Sequence, residues 1–183
     1  MAAKGKKENP MRQITVPQIV VNMGVGESGE KLAKAEKLLE DITGQTPTRT
    51  YSKSTIKPWG TRKDAPTGCK VTLHRAKKDE FLRKAFEVVE NKIKISSFDD
   101  SGNFSFGIRE HIDLEGMKYD PNVGIFGMDV CVSVARPGYR VKKRKLQNAH
   151  VSKKHVVKKE ETMEFLSSKY KIEAVEPEEE DYY

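Results

Sequence analysis

The sequence predicts an α+β fold in two layers, a largely antiparallel sheet with helices on one face and a polar surface on the other. Three observations lead there. Short runs of alternating apolar and polar residues recur along the chain. Segments with apolar residues at helical spacing are interleaved with them. The strand-like runs sit mostly as hairpin neighbours, which favours antiparallel pairing over crossover units.

Residues 1–8 are small and Lys-rich and read as a flexible basic arm. Residues 13–23 (QITVPQIVVNM) form the first β-run, and Pro17 near its start suits the beginning or an edge of a strand. Residues 24–29 turn the chain into a helix whose inner face is Leu32, Ala35, Leu38, Leu39 and Ile42, with Gly44 as its C-terminal stop. Residues 45–54 are extended and Thr-rich. A polar loop with Trp59-Gly60 and two prolines follows, and then a strand over 68–75 (GCKVTLHR). Its alternation places Cys69, Val71 and Leu73 on one face and Lys70, Thr72 and His74 on the other. A second amphipathic helix over 78–90 buries Phe81, Leu82, Ala85, Phe86, Val88 and Val89. A turn at Asp100-Ser101-Gly102 leads into a β-run over 103–112, and the most apolar strand is 127–135 (GMDVCVSVA). A short terminal helix over 160–170 carries Met163, Leu166 and Tyr170 on one side. The expected organisation is thus one domain over 9–171, including a basic segment at 136–159, and a disordered acidic tail over 172–183.

Charge narrows the function. The chain has 34 basic against 27 acidic residues, but six of the acids follow Lys171, which leaves 34 against 21 over residues 1–171. Such a body attracts polyanions through its field and through release of their counterions. Between Arg136 and Lys159 there are ten bases (Arg136, Arg140, Lys142, Lys143, Arg144, Lys145, Lys153, Lys154, Lys158, Lys159) and no acid. An acid-free run of this density points to a nucleic-acid contact more than to a solvated tail.

Other functions fail on their own spacing. Gly24-x-Gly26-x-x-Gly29 follows a strand and precedes a helix, as a dinucleotide-binding turn does. That fingerprint needs an acid about 20 residues on for the ribose, and no Asp or Glu occurs between Ile42 and Lys63. No Gly-Lys-Ser/Thr ending makes it a phosphate loop. Glu110 and His111 lack an HExxH spacing, Ser52, Ser54 and Ser97 lack a nucleophile elbow, and Asp99-Asp100 sit in a turn. Two cysteines, Cys69 and Cys131, form neither a disulfide framework nor a zinc motif, and His150 and His155 belong to the basic run. The expectation is no catalytic residue, no metal and no cofactor. No signal peptide and no membrane span is legible, so a cytoplasmic location is expected.

Four long motifs in order carry a resemblance. NPMRQITVPQIVVNMGVGESGEKLAKAEKLLEDITGQTP, GCKVTLH, DDSGNFSFGIREHIDLEGMKYDP and IFGMDVCVSVARPGYR together resemble the large-subunit ribosomal protein L5 family. The Asn9-Pro10-Met11-Arg12 start and the basic extension are similar to its archaeal and eukaryotic branch. The resemblance implies a structural, non-enzymatic component of the large ribosomal subunit that binds 5S rRNA in the central protuberance, beside large-subunit rRNA and neighbouring ribosomal proteins. It implies 5S rRNA contacts at Asn22 in VVNMG, Gln45 in TGQTP and Thr72 in KVTLH, with Met11 and Arg12 joining from the N-terminal segment. Short amides and hydroxyls of this kind suit 2′-hydroxyls and base edges of non-helical RNA. The loop over 52–68 resembles the family's P-site tRNA contact and offers Lys53, Lys57, Trp59, Arg62 and Lys63 against one acid, Asp64.

Overall fold

The computed structural model describes residues 9–176. The expected basic arm and the end of the acidic tail lie outside them. A five-stranded sheet is built from β1 (Thr15–Gly24), β2 (Thr48–Tyr51), β3 (Pro66–Leu73), β5 (Phe104–Ile108) and β6 (Met128–Ala135) in the order β2-β3-β1-β6-β5, with β4 (Lys92–Lys94) elsewhere. Every neighbour in this sheet is antiparallel. Helices α1 (Glu30–Thr43) and α2 (Arg75–Val88) cover one face, α1 against β3 and α2 against β1.

The burial pattern explains the two layers. Ile19, Val21 and Met23 of β1, Cys69, Val71 and Leu73 of β3, and Met128, Val130, Val132 and Val134 of β6 are all buried. Period-two alternation puts them on one side, where they meet Leu32, Ala35, Leu38 and Leu39 of α1 and Phe81, Leu82, Ala85 and Phe86 of α2. Gly44 ends α1 in the left-handed region (φ 60°), and the Lys77 ammonium donates 2.7 Å to its carbonyl. On the far side of the core Phe86 lies 5.6 Å from Phe106 and 5.4 Å from Tyr170 of α4 (Lys159–Tyr170). Such aromatic pairs add about 1 kcal/mol each beyond their burial.

One expectation is sharpened and one corrected. Pro17 lies near the start of its strand, as expected, but that strand is the central one of the sheet. It is tolerated because the β1–β6 register shifts between Thr15 and Gln18, a bulge at which the ladder does not require its missing N–H. The folded body also runs beyond Lys171. Ile172 is buried, and β7 (Glu173–Val175) pairs in parallel with β4, with the Glu173 amide donating 2.9 Å to the Asn91 carbonyl. The acidic character of the tail hid a docking segment that buries Ile93 and Ile172 together.

The β-run read over 103–112 is shorter in the fold and ends at Ile108. Beyond it His111 is buried: its amide donates 3.1 Å to the Phe126 carbonyl, and its Nδ1 accepts from the Phe126 amide at 3.3 Å. This histidine therefore ties down the 109–127 excursion and has no open site around it.

Candidate nucleic-acid interface

Helices α1 and α2 pack on the buried face of the sheet, and at one end of the second face Gln18 and Ser133 share a pocket with Arg140 and Lys143. The residues of this second face are fixed by register. One row crosses the sheet as Thr48, Lys70, Asn22, Asp129 and Gly107, each opposite the next. The next row is Thr72, Val20, Cys131 and Ser105, and below it Gln18 faces Ser133. Lys70, Asp129, Cys131 and Ser105 are exposed, and Asn22, Thr72 and Ser133 are half-buried. This is a polar surface with one aliphatic side chain, Val20, at its middle.

Asn22 and Thr72, both singled out in the sequence, thus share this face on adjacent strands, two residues apart diagonally. The same alternation that buries Val21 and Met23 forces Asn22 outward, and likewise Thr72 between Val71 and Leu73. Gln45 is half-buried in the link from α1 to β2. Because Thr48 stands opposite Lys70 in an antiparallel pair, that link runs past the end of β3 that carries Thr72.

Sequence reasoning did not single out Lys70, Asp129 or Ser133. The alternation in GMDVCVSVA contained the signal, since Asp129, Cys131 and Ser133 must oppose Met128, Val130 and Val132. Asp129 matters electrostatically. An acid beside Asn22 repels a phosphate but accepts from base amino groups, so this row favours base edges and sugar hydroxyls over backbone. Glycine is needed on the same face at Gly68, where a Cβ would stand 2.7 Å from the Met23 carbonyl oxygen.

The 52–68 segment is a hairpin that extends β2 and β3, not an open loop. The Ser52 amide donates to the Ala65 carbonyl at 2.9 Å and the Asp64 amide to the Ser52 carbonyl at 2.9 Å. Near the tip Ile56 and Thr61 bridge, and a single 3-10 turn, Lys57–Trp59, closes on Gly60 in the left-handed region (φ 64°). Lys53, Lys57, Arg62 and Lys63 flank or form this tip, and Trp59 is 75% exposed. The indole thus stands exposed among cations at the hairpin tip. The hairpin leaves the sheet where β1 ends, with the Val25 and Gly26 amides donating to the Thr67 carbonyl.

Met11 and Arg12 lie at the opposite end of β1. A Cβ on Gly138 would stand 3.2 Å from the Met11 Cε, so the N-terminal segment packs on the start of the basic segment. The basic segment is itself folded. After β6 it makes a short helix, α3 (Arg140–Lys143). The Ala149 amide returns to the Val141 carbonyl, Asn148 Nδ2 donates to the Lys142 carbonyl, and His155 Nε2 meets the Pro137 carbonyl at 2.8 Å. Along one axis the molecule therefore presents the hairpin, the polar sheet face and the basic segment.

The family model described as "Ribosomal protein L5" matches residues 9–62, and the model for the C-terminus of the same ribosomal family matches residues 66–165. The chain belongs to the ribosomal protein L5 family. Its relatives include the large ribosomal subunit protein uL5 of Sulfurisphaera tokodaii, 49% identical over 95% of this chain and 99% of that one. The uL5 of Methanococcus maripaludis strain C5 is 48% identical over 92% of this chain and 95% of its own length. That of Sulfolobus acidocaldarius is 46% identical over 94% and 97%. As a member of the L5 family the chain is a ribosomal protein and not an enzyme. The Gly24–Gly26–Gly29 turn is accounted for within that fold: it carries β1 from Asn22 into α1.

Proposed function

We propose that this chain is a structural constituent of the large ribosomal subunit in the cytoplasm that binds 5S rRNA, in the central protuberance, on the open face of its sheet. The observation that carries the reading is the row Lys70–Asn22–Asp129 with Thr72 beside it, a polar surface on the uncovered side of an otherwise apolar sheet. Its mix of amide, hydroxyl, ammonium and carboxylate suits an irregular RNA loop whose base edges and 2′-hydroxyls are open. Gln45 joins at the margin of this face. Met11, Arg12 and the basic segment add contacts to rRNA backbone, and neighbouring ribosomal proteins complete the surroundings. The hairpin tip, with Lys53, Lys57, Trp59, Arg62 and Lys63, reaches toward the P-site tRNA.

The test is filter binding of the full chain to 5S rRNA at fixed salt. Asn22→Ala with Thr72→Ala removes two neutral hydrogen bonds of about 1 kcal/mol each, so affinity should fall roughly thirtyfold with the fold intact. Unchanged affinity in a folded double variant refutes the docking face. For the hairpin, a photocrosslinker at position 59 in assembled subunits should label P-site tRNA, and labelling only of proteins or of large rRNA rules out that contact.

A further inference from the structure

At the end of the open face nearest the basic segment lies a cavity of about 460 Å³, within the usual size of a small-molecule cleft. Its floor is Gln18 of β1 and Ser133 of β6, which stand opposite each other in register. The turn at Pro137 and Gly138 (φ 104°) folds the basic segment back beside it, and the Pro137 carbonyl lies 2.8 Å from His155 Nε2, which pins that turn. Two kinds of wall result. One is apolar: Pro17, Pro137 and the Tyr139 ring, itself backed by the His155 ring with centroids 6.1 Å apart. The other is cationic: Arg140 and Lys143 are exposed and three residues apart on α3, hence on one side of it. Neither forms an ion pair among the described residues. Two of the polar lining groups are spent on backbone, since Thr15 Oγ1 donates 3.1 Å to the Ala135 carbonyl and Asn103 Oδ1 accepts from the Val134 amide at 3.1 Å. The half-buried Gln18 carboxamide and Ser133 hydroxyl have no hydrogen-bond partner among the described residues. Polar groups so placed take water or a ligand.

We propose that this cavity is a pocket for one ribonucleotide, with the base inside and the phosphate at the mouth. The lining fits both halves of that ligand and fits simpler ones poorly. Among the described residues no acid lines the cavity, so it is not built for a cation. A phosphate alone would use Arg140 and Lys143, but neither the proline and tyrosine wall nor the carboxamide on the floor. A planar base uses all of them. Its ring lies against Pro17, Pro137 and Tyr139, and its edge pairs with Gln18, whose carboxamide holds an acceptor and a donor side by side. The Ser133 hydroxyl, donor or acceptor as needed, completes the edge. An acidic peptide would also meet the two cations, but its carboxylates only accept and leave the Gln18 oxygen without a donor. Gln18 is therefore the selecting residue, and its role is to read a base rather than to attract a backbone. The nucleotide is either one unstacked from rRNA docked on the adjoining face or a free one. Only the first source rests on the RNA-binding reading above.

Residue-resolved NMR titration of the full chain tests the pocket, with each of the common ribonucleoside 5′-monophosphates, ribose 5-phosphate and a triglutamate peptide as probes. At least one monophosphate should shift the Gln18 and Ser133 signals and bind at least about tenfold tighter than ribose 5-phosphate, the difference being the hydrogen-bonded base. Gln18→Ala should remove that preference, and Arg140→Ala with Lys143→Ala should weaken both ligands alike; circular dichroism checks each fold. Ribose 5-phosphate binding as well as every monophosphate overturns the pocket, and this comparison needs only the parent chain. Tighter binding of the peptide, or shifts confined to other residues, overturns it as well. Equilibrium dialysis of the best monophosphate against the chain saturated with 5S rRNA or large-subunit rRNA then gives the source. Exclusion by either RNA assigns an rRNA nucleotide, and retained binding with both assigns a free one; each supports the site. Asn22→Ala with Thr72→Ala should take up the monophosphate as the parent does, so failure of the docking face and failure of the pocket are read separately.

Discussion

Gly102 makes the sharpest test of how the basic segment is held. It sits in the turn before β5 at φ 75°, with its amide donating 2.9 Å to the Asp99 carbonyl. A Cβ there would stand 2.5 Å from Thr162 Oγ1, 3.1 Å from Val157 Cγ1 and 3.2 Å from the Val157 carbonyl oxygen. Thr162 is buried on α4 and donates 3.0 Å to the Gly102 carbonyl, and Val157 is fully buried. Gly102→Ala therefore meets two costs. The left-handed backbone costs an alanine about 1–2 kcal/mol. Overlap with groups that cannot retreat adds about 1–3 kcal/mol, since Val157 and Thr162 fix the junction of the basic segment with α4. The sum of about 2–5 kcal/mol corresponds to a melting temperature lower by on the order of 10 °C in a chain of this size. Gly116→Ala is the control: φ is 91° but nothing lies within 4 Å of the new methyl, so only the backbone cost applies. Thermal unfolding by circular dichroism compares the two. Equal shifts would refute the packing argument.

Two further predictions rest on titrating groups. Cys131 is exposed on the sheet face, its thiol pushed up by partial burial and by Asp129, whereas buried Cys69 is pushed up to about 11 by burial and then by Glu36. A thiol reagent at mild pH should modify Cys131 alone, and 5S rRNA at 100 times its dissociation constant should slow that reaction about a hundredfold; undiminished reactivity in the complex contradicts docking on this face. Burial, then the charge and hydrogen bond of Asp79 at 3.2 Å, push the Tyr170 hydroxyl up to about 12. The folded state holds this proton more tightly than the unfolded one, so its contribution is complete below about pH 10 and is lost as pH rises through about 12. Urea midpoints should fall more steeply over that window for the parent than for Tyr170→Phe, and parallel slopes would count against it.

Most of the fold was legible because its signals are local. The spacing of Leu32, Ala35, Leu38 and Leu39 and the alternation of Cys69, Val71 and Leu73 each report a buried face from within one element. That alternation also placed Asn22 and Thr72 on the open side. Three features were not legible, each for want of a local signal. The β4–β7 pair joins two three-residue strands remote in sequence, and an acidic composition masks the second. The central place of β1 depends on how remote strands pair, so Pro17 near its start read as the beginning or an edge of a strand and gave no sign of it. The hairpin at 52–68 and the folded basic segment are held by backbone hydrogen bonds that charge composition does not encode.

The strand order also sets a schedule. β1 is made first, yet one of its two neighbours in the sheet is β6, and Thr15 bonds to a carbonyl 120 residues later at Ala135. At about 5–20 residues per second, the interval between the two during synthesis is on the order of ten seconds. Through that time Asn22 exists without Asp129 beside it, and one edge of the nascent central strand has no partner. A chain that stops before Asp129 cannot complete the row, so the polar surface exists only once β6 has been made.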